Sequence, residues 1–280
     1  MTDPELSAWT AARLPAFEEA LGATFATAWP PRLRDACRYP LATGGKRMRP
    51  LLCFAAAEAA GGDPRRAMVP AVAVELLHTY SLVHDDLPCL DDDDERRGRP
   101  TVHVVYGEAL ALLAGDALLT EAFAVLATAP ADQAGGLVRE LAGAAGARGM
   151  IAGQAVDIGA DGPIEDVTAL LRLHGAKTGA LIRAAVRMGA IAAGAPPATV
   201  EALDEYATAV GLAFQIHDDV LDADQDAAEG GPPSFVKLLG LDGARTAARE
   251  HADVACRALA GLPDAGALHA LARRIVERSS

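Results

Sequence analysis

The sequence is poor in aromatic residues and poorer in lysine. Phe, Tyr and Trp make up 4% of its 280 residues, and three of its 25 bases are lysines. Strands favour aromatic and β-branched side chains, so the first shortage argues against a β-rich fold. The four cysteines, Cys37, Cys53, Cys89 and Cys256, form no CxxC pair and no metal-like spacing, and no signal peptide is recognisable. They read as reduced thiols in a cytoplasmic protein. No uncharged apolar run approaches the roughly 18 residues of a membrane span. The longest candidate, 188–200, is rich in Ala and Gly and is interrupted by Pro196-Pro197. Positive charge is also in deficit: the net charge is −13 and the pI about 4.9. A nucleic-acid or anionic-membrane binder is thereby excluded.

What is abundant is Ala, Leu, Glu and Arg, with 51% apolar and 22% charged residues. Ala is the best helix former and Leu and Arg follow it closely, so an all-α fold is expected. The length and apolar content suit one helical domain over residues 1–280, with long central helices around a sizeable core. Apolar spacing and Gly/Pro breaks predict helices over 3–27 (with Pro15 as an interruption), 31–38, 50–60, 68–87 and 101–107. Others follow over 109–129, 132–150 with an extension to 158, 163–175, 176–194, 198–222, 236–239, 242–262 and 263–278. In the 68–87 helix, Val72, Leu76, Thr79 and Val83 form the apolar stripe.

The acidic excess is concentrated at two places. Asp85, Asp86 and Asp91–Asp94 form one cluster, and Asp218, Asp219, Asp222, Asp224 and Asp226 form the other. Without these eleven, 27 acids remain against 25 bases. The first cluster ends a helix, because Pro88 cannot continue the intrahelical bonding. Asp85 falls on the last turn, Asp91 can curl back toward it, and His78 lies two turns earlier on the same face. Gathered carboxylates repel one another, and the helix dipole disfavours them at a C-terminus. An Asp run can be a solvated loop, but a hard divalent cation such as Mg²⁺ removes both penalties. An EF-hand fails, because counting from Asp91 the sixth position is Arg96 and the twelfth Val102. In the second cluster Gln215, Asp218 and Asp222 share one face of an unbroken helix, with Asp219 adjacent.

Against these acids stand a few bases. Gly44-Gly45-Lys46-Arg47-Met48-Arg49-Pro50 joins exposed backbone N–H groups to positive charge as an anion cradle, without Walker spacing. Arg96-Arg97-Gly98-Arg99 trails the first acidic cluster, and Lys177-Thr178 falls at a helix break. Taken together, these segments resemble the trans-polyprenyl diphosphate synthases, a family of class I isoprenoid synthases, and most nearly the bacterial farnesyl synthases. Gly44–Pro50 matches that family's GGKRxRP. Asp85–Asp91 with the arginines matches its first aspartate-rich motif. Gly153-Gln154 with Asp157, Lys177-Thr178 and Phe214–Asp222 match further signatures in order.

The resemblance implies a helical bundle around a central cavity, usually a homodimer, and Mg²⁺-dependent transfer of an allylic diphosphate's prenyl group to isopentenyl diphosphate. It implies that Asp85, Asp86 and Asp91 ligate two Mg²⁺ ions and Asp218 a third, with Asp219 and Asp222 in support. Arg96, Lys177, Thr178 and Gln215 would contact the allylic substrate. Lys46, Arg49, His78 and Arg97 would hold isopentenyl diphosphate. Tyr80 and Ser81, one turn deeper than Asp85, would form the cavity floor that fixes product length. Bulky Tyr80 points to a C15 product. A geranyl or geranylgeranyl synthase and a regulatory subunit of a heteromeric synthase stay open at this point. One departure supports the last of these: residues 224–236 hold no base, whereas the family carries a lysine-bearing loop there.

Overall fold

The computed structural model describes residues 1–42, 44–160, 162, 164, 166–222 and 234–277. It is built almost wholly of helix. In chain order these are α1 (Asp3–Ala11), α2 (Leu14–Ala23), α3 (Pro31–Ala42), α4 (Met48–Ala59) and α5 (Met68–Asp85). Then come α6 (Val102–Tyr106), α7 (Glu108–Leu126), α8 (Ala131–Ala145), α9 (Met150–Asp157) and α10 (Val167–His174). The chain finishes with α11 (Ala180–Ala193), α12 (Pro197–Leu221), α13 (Phe235–Ala258) and α14 (Gly266–Glu277). Helices α4, α5 and α11 form the centre. In α4 every residue from Pro50 to Ala59 is buried, and the expected stripe of α5 (Val72, Leu76, Thr79, Val83) is buried throughout.

Scarcity of aromatics and abundance of alanine have one structural meaning: helices approach closely and need small residues where they touch. Gly189 on α11 is the limiting case, since a Cβ there would stand 2.2 Å from the Cys53 carbonyl oxygen on α4. Large side chains pack around these close approaches, as where Phe17 of α2 meets Phe54 of α4 edge to face at 6.3 Å.

Several boundaries differ from the sequence-based expectation, each for a local reason. The first helix breaks at Ala12-Arg13, so that Pro15 enters the first turn of α2, where its missing N–H is not needed. Helix α3 continues through Pro40 to Ala42 instead of stopping at Arg38. The expected 132–158 helix is two helices. The first ends at Ala145, where Gly146 leaves helical geometry (ψ −158°), and the second starts after Gly149, which packs so close to the first that a Cβ would stand 2.1 Å from the Ala144 carbonyl oxygen. The break foreseen between 175 and 176 is instead a π-helical turn, Gly175–Gly179, joining α10 to α11. The break expected between the 236–239 and 242–262 segments is present inside α13, at Gly240, whose φ of 71° and ψ of 161° are non-helical. A two-residue hairpin, β1 (Glu95–Arg96) and β2 (Arg99–Pro100), was not foreseen. Residues 223–233, Pro163 and Arg278 lie outside the described residues.

Among the described residues, α7 alone is long and apolar enough to cross a membrane by length and composition. It carries Asp116 and Glu121, and its Ala111, Ala114, Gly115, Leu118, Ala122 and Leu126 are buried.

Candidate active site

Helix α5 runs out at Asp85, and the chain then turns on itself: the Asp91 N–H donates to the Asp85 carbonyl at 2.9 Å. The curl expected from Pro88 is therefore present, and it leaves Asp91 exposed beside half-buried Asp85. Burial pushes the Asp85 carboxyl up to about 6, with Asp91 and Asp86 adding repulsion against the pull of Lys177 and Arg96. The chain thus holds a carboxylate whose charge is only partly compensated. Asp86 is buried and is raised by that burial, while Arg96 opposes the shift through a hydrogen bond at 2.7 Å. The unforeseen hairpin delivers this arginine. Its Arg97-Gly98 turn has positive φ at both positions (56° and 74°), the geometry of a two-residue type I′ connection, and it sets Arg96 opposite Arg99.

The GGKRxRP segment separates its bases into different environments. Arg47 is not part of an exposed anion cradle. Its side chain is 6% exposed and is held by Glu18 on α2 (2.7 Å), Glu75 on α5 (2.8 Å) and the Leu41 carbonyl (3.0 Å). It is a strut that fixes the loop, and although it borders the basic cavity its guanidinium is taken up by protein acceptors, unlike the open base the sequence suggested. Lys46, Arg49, His78 and Arg97 do converge. Together with Gly45, Arg47, Met48, Glu75, Phe214 and Asp218 they line a cavity of about 340 Å³, in which the Arg47 guanidinium is already engaged by Glu18 and Glu75. Gly45 lies close against the arginines, since a Cβ would stand 3.0 Å from Arg97 Nη1, and Arg97 itself donates to the Gly44 carbonyl. Arg49 is buried deeply enough to fall to about 10, and its Nε has no hydrogen-bond partner. His78 is held well below the usual histidine range, first by burial and then by Arg49, Arg97, Arg96 and Arg47. It is neutral at physiological pH, a hydrogen-bonding group and not a fourth cation.

A second cavity, of about 570 Å³, adjoins the first, and Arg49 and His78 line both. Asp85, Lys177 and Thr178 line its polar part, and Tyr80, Ser81, His84, Leu119, Met150 and Ile151 line the remainder with Gln154. Tyr80 and Ser81 are therefore both cavity-lining residues. Lys177 comes from the π-helical turn, a feature that recurs at functional sites, and its Nζ lies 2.6 Å from Asp157 Oδ2 on α9. Gly153 permits that approach, because a Cβ would stand 2.4 Å from the Lys177 backbone nitrogen. The 153–157 signature thus has a steric member, Gly153, a cavity-lining member, Gln154, and an ion-pair member, Asp157.

On α12, half-buried Asp218 faces the basic cavity. Asp219 is buried, and its oxygens accept from Gln215 Nε2 (3.2 Å) and the Phe235 backbone N–H (2.7 Å). It joins the second aspartate motif to the start of α13. Asp222 is exposed, at the end of α12. Of the expected residues, Lys46, Arg49, His78, Tyr80, Ser81, Asp85, Arg97, Lys177, Thr178 and Asp218 line one or both of the two adjoining cavities, whereas Asp86, Asp91 and Arg96 at the end of α5 and in the hairpin, and Gln215, Asp219 and Asp222 on and at the end of α12, line neither. Sequence reasoning missed Glu75 and Glu18 as anchors of Arg47, and His84 and Asp116 in the larger cavity. Only His84, next to the motif, carried a signal in its position.

Among the described residues no three His, Cys, Asp or Glu side chains are gathered closely enough to hold a metal ion by themselves. The donors nevertheless suit Mg²⁺, which is bound through one or two carboxylates together with phosphates and water, not by an all-protein cage.

Known proteins bear on this geometry. The Polyprenyl synthetase family matches residues 30–235. The chain is 44% identical over 265 residues to the farnesyl diphosphate synthase of Escherichia coli K12, covering 88% of this chain and 89% of that one. It is also 44% identical over 237 residues to the heterodimeric geranylgeranyl pyrophosphate synthase large subunit 1 of Arabidopsis thaliana, covering 77% of this chain and 63% of that one. The solved structure of an FPP/GFPP synthase from Zymomonas mobilis superposes with a TM-score of 0.90 at 37% identity, over 98% of this chain and 100% of that one. With its helical fold, its GGKRxRP loop and its two aspartate motifs set about adjoining cavities, the chain belongs to the polyprenyl synthetase family and is a prenyltransferase.

Proposed function

We propose that this prenyl diphosphate synthase is Mg²⁺-dependent and makes farnesyl diphosphate, by condensing isopentenyl diphosphate with dimethylallyl or geranyl diphosphate. The observation that carries the reading is the pair of adjoining cavities, one basic and one largely apolar, with Arg49 and His78 on their shared boundary. The basic cavity suits isopentenyl diphosphate, held by Lys46, Arg49, His78 and Arg97. Arg49 Nε, buried without a partner, is a donor in need of an anion. The larger cavity, within the size range of small-molecule sites, suits the allylic substrate. Its diphosphate lies toward Asp85, Lys177 and Thr178, with Arg96 and Gln215 nearby, and its prenyl tail runs toward Tyr80 and Ser81.

Asp85, Asp86 and Asp91 would hold two Mg²⁺ ions and Asp218 a third, with Asp219 and Asp222 in support. Bound there, magnesium neutralises charge on the departing diphosphate. As the allylic C–O bond breaks, Lys177 and Arg96 stabilise the same leaving group. The isopentenyl double bond then attacks the allylic cation and a proton is lost, while the apolar walls keep water away. No protein nucleophile is required. We further infer a homodimer, supported by exposed Val104, Val105, Leu112 and Leu113 on α6 and α7, an apolar surface suited to a second copy.

Tyr80 is the group that favours C15 over longer products. The similarity to geranylgeranyl synthases makes C20 the competing outcome. Product analysis of wild type and Tyr80→Ala separates them: wild type stops at C15, and removal of the ring admits C20. A wild type that makes C20 readily, together with an unchanged Tyr80→Ala profile, overturns the assignment.

A further inference from the structure

Tyr80 does not stand alone in the larger cavity. His84 lies one turn later on the same face of α5, and helical side chains lean toward the N-terminus, so its ring covers the turn that carries Tyr80. The two rings meet edge to face, with centroids 5.5 Å apart and planes at 89°. The other side of His84 is seated against α7. Nε2 lies 3.0 Å from the Leu112 carbonyl oxygen and 4.0 Å from Asp116 Oδ1. Gly115 makes the seat: a Cβ there would stand 2.0 Å from His84 Nε2 and 2.2 Å from Cδ2. The imidazole therefore fills a gap that α7 leaves open at one residue. Tyr80, His84, Asp116 and Leu119 all line the cavity, so a shift of this ring is felt where the prenyl tail ends.

We propose that His84, seated in the Gly115 gap, is a positioning residue for chain length, holding Tyr80 in place at the cavity floor. The proposal rests on the reading of Tyr80 as that floor. It is steric: the imidazole occupies the space into which the Tyr80 ring would otherwise swing, and α7 keeps the imidazole there. Two substitutions act on it in opposite directions. His84→Ala empties the space, lets the phenol ring fall back and lengthens the product. Gly115→Ala expels the imidazole from its seat toward Tyr80 and the cavity, and shortens the product.

The test uses the purified full-length protein with Mg²⁺ and isopentenyl diphosphate, started from dimethylallyl or geranyl diphosphate, with products separated by mass spectrometry. Wild type, Tyr80→Ala, His84→Ala and Gly115→Ala are compared. One aromatic contact sets the scale, so His84→Ala raises the C20:C15 ratio roughly two- to tenfold, and Gly115→Ala raises C10:C15 by a similar factor. A purely structural role for His84 changes turnover and thermal stability and leaves both ratios unmoved. If Tyr80→Ala lengthens the product while the His84 and Gly115 variants leave it unchanged, the positioning role is overturned and the floor stands. If Tyr80→Ala changes nothing, the floor reading fails and the positioning role falls with it. His84→Ala removes atoms from a side chain that is 21% exposed and so adds no clash. It decides the matter alone if Gly115→Ala does not fold.

Discussion

Arg47 and Lys46 are neighbours of like charge, and replacing each with methionine should produce opposite phenotypes. Arg47 and Glu75 form a salt bridge at 2.8 Å, with side chains 6% and 7% exposed. Arg47→Met leaves the Glu75 carboxylate buried with its counter-charge gone. Removing one partner of a buried pair costs about 3–5 kcal/mol. In a chain of this size 1 kcal/mol is worth roughly 2–4 °C in Tm, so melting should fall by about 6 °C or more. Lys46 is exposed, and Lys46→Met should change stability by no more than about 0.5 kcal/mol. Instead it removes a charge-assisted contact to the diphosphate, worth about 1.5–3 kcal/mol, and should raise the KM for isopentenyl diphosphate roughly ten- to hundredfold. Differential scanning calorimetry and steady-state kinetics on both variants give the comparison. An Arg47→Met protein that melts within about 1 °C of wild type and shows the KM defect expected of Lys46→Met would refute the division between strut and ligand.

Three further outcomes are expected. Asp85 holds its proton up to about 6 against an ordinary 3.8, so with chelator present its contribution to folding is full below about 4 and is lost as pH rises through 6. Asp85→Asn should therefore abolish turnover yet stabilise the chelated protein by about 1–2 kcal/mol at pH 7.5, with no gain at pH 4, as thermal melts at the two pH values would reveal. Gly153→Ala forces a Cβ against the Lys177 backbone; an overpacking cost of about 1–3 kcal/mol should accompany a raised KM for the allylic substrate and an unchanged one for isopentenyl diphosphate. Asp219→Ala strips an acceptor from the buried Phe235 N–H and should cost about 1–3 kcal/mol, read as a lower denaturant midpoint, whereas Asp222→Ala at its exposed site should leave the midpoint nearly unchanged.

What could be read from the sequence was whatever local chemistry enforces. Pro88 predicts the end of α5, and the repulsion among Asp85, Asp86 and Asp91 predicts a site that needs cations. The stripe of α5 is set by 3.6-residue spacing alone. What could not be read depends on partners distant in sequence or on backbone geometry without a periodic signal. Arg47 becomes a strut only because Glu18 and Glu75 reach it from other helices, 29 and 28 residues away. The 95–100 hairpin is too short to show alternation, yet it places Arg96 on Asp86. The glycines at 115 and 153 look like weak points in helices and act as clearances for His84 and Lys177. The absence of bases in 224–236 was plain from the sequence, but residues 224–233 lie outside the described structure.

The most direct test of the account is incubation of the purified chain with isopentenyl diphosphate and geranyl diphosphate, with Mg²⁺ or with EDTA, followed by mass spectrometry of the products. The account predicts C15 as the end product with Mg²⁺ and no condensation in EDTA. Predominant C20, or turnover that persists in the chelator, would contradict it.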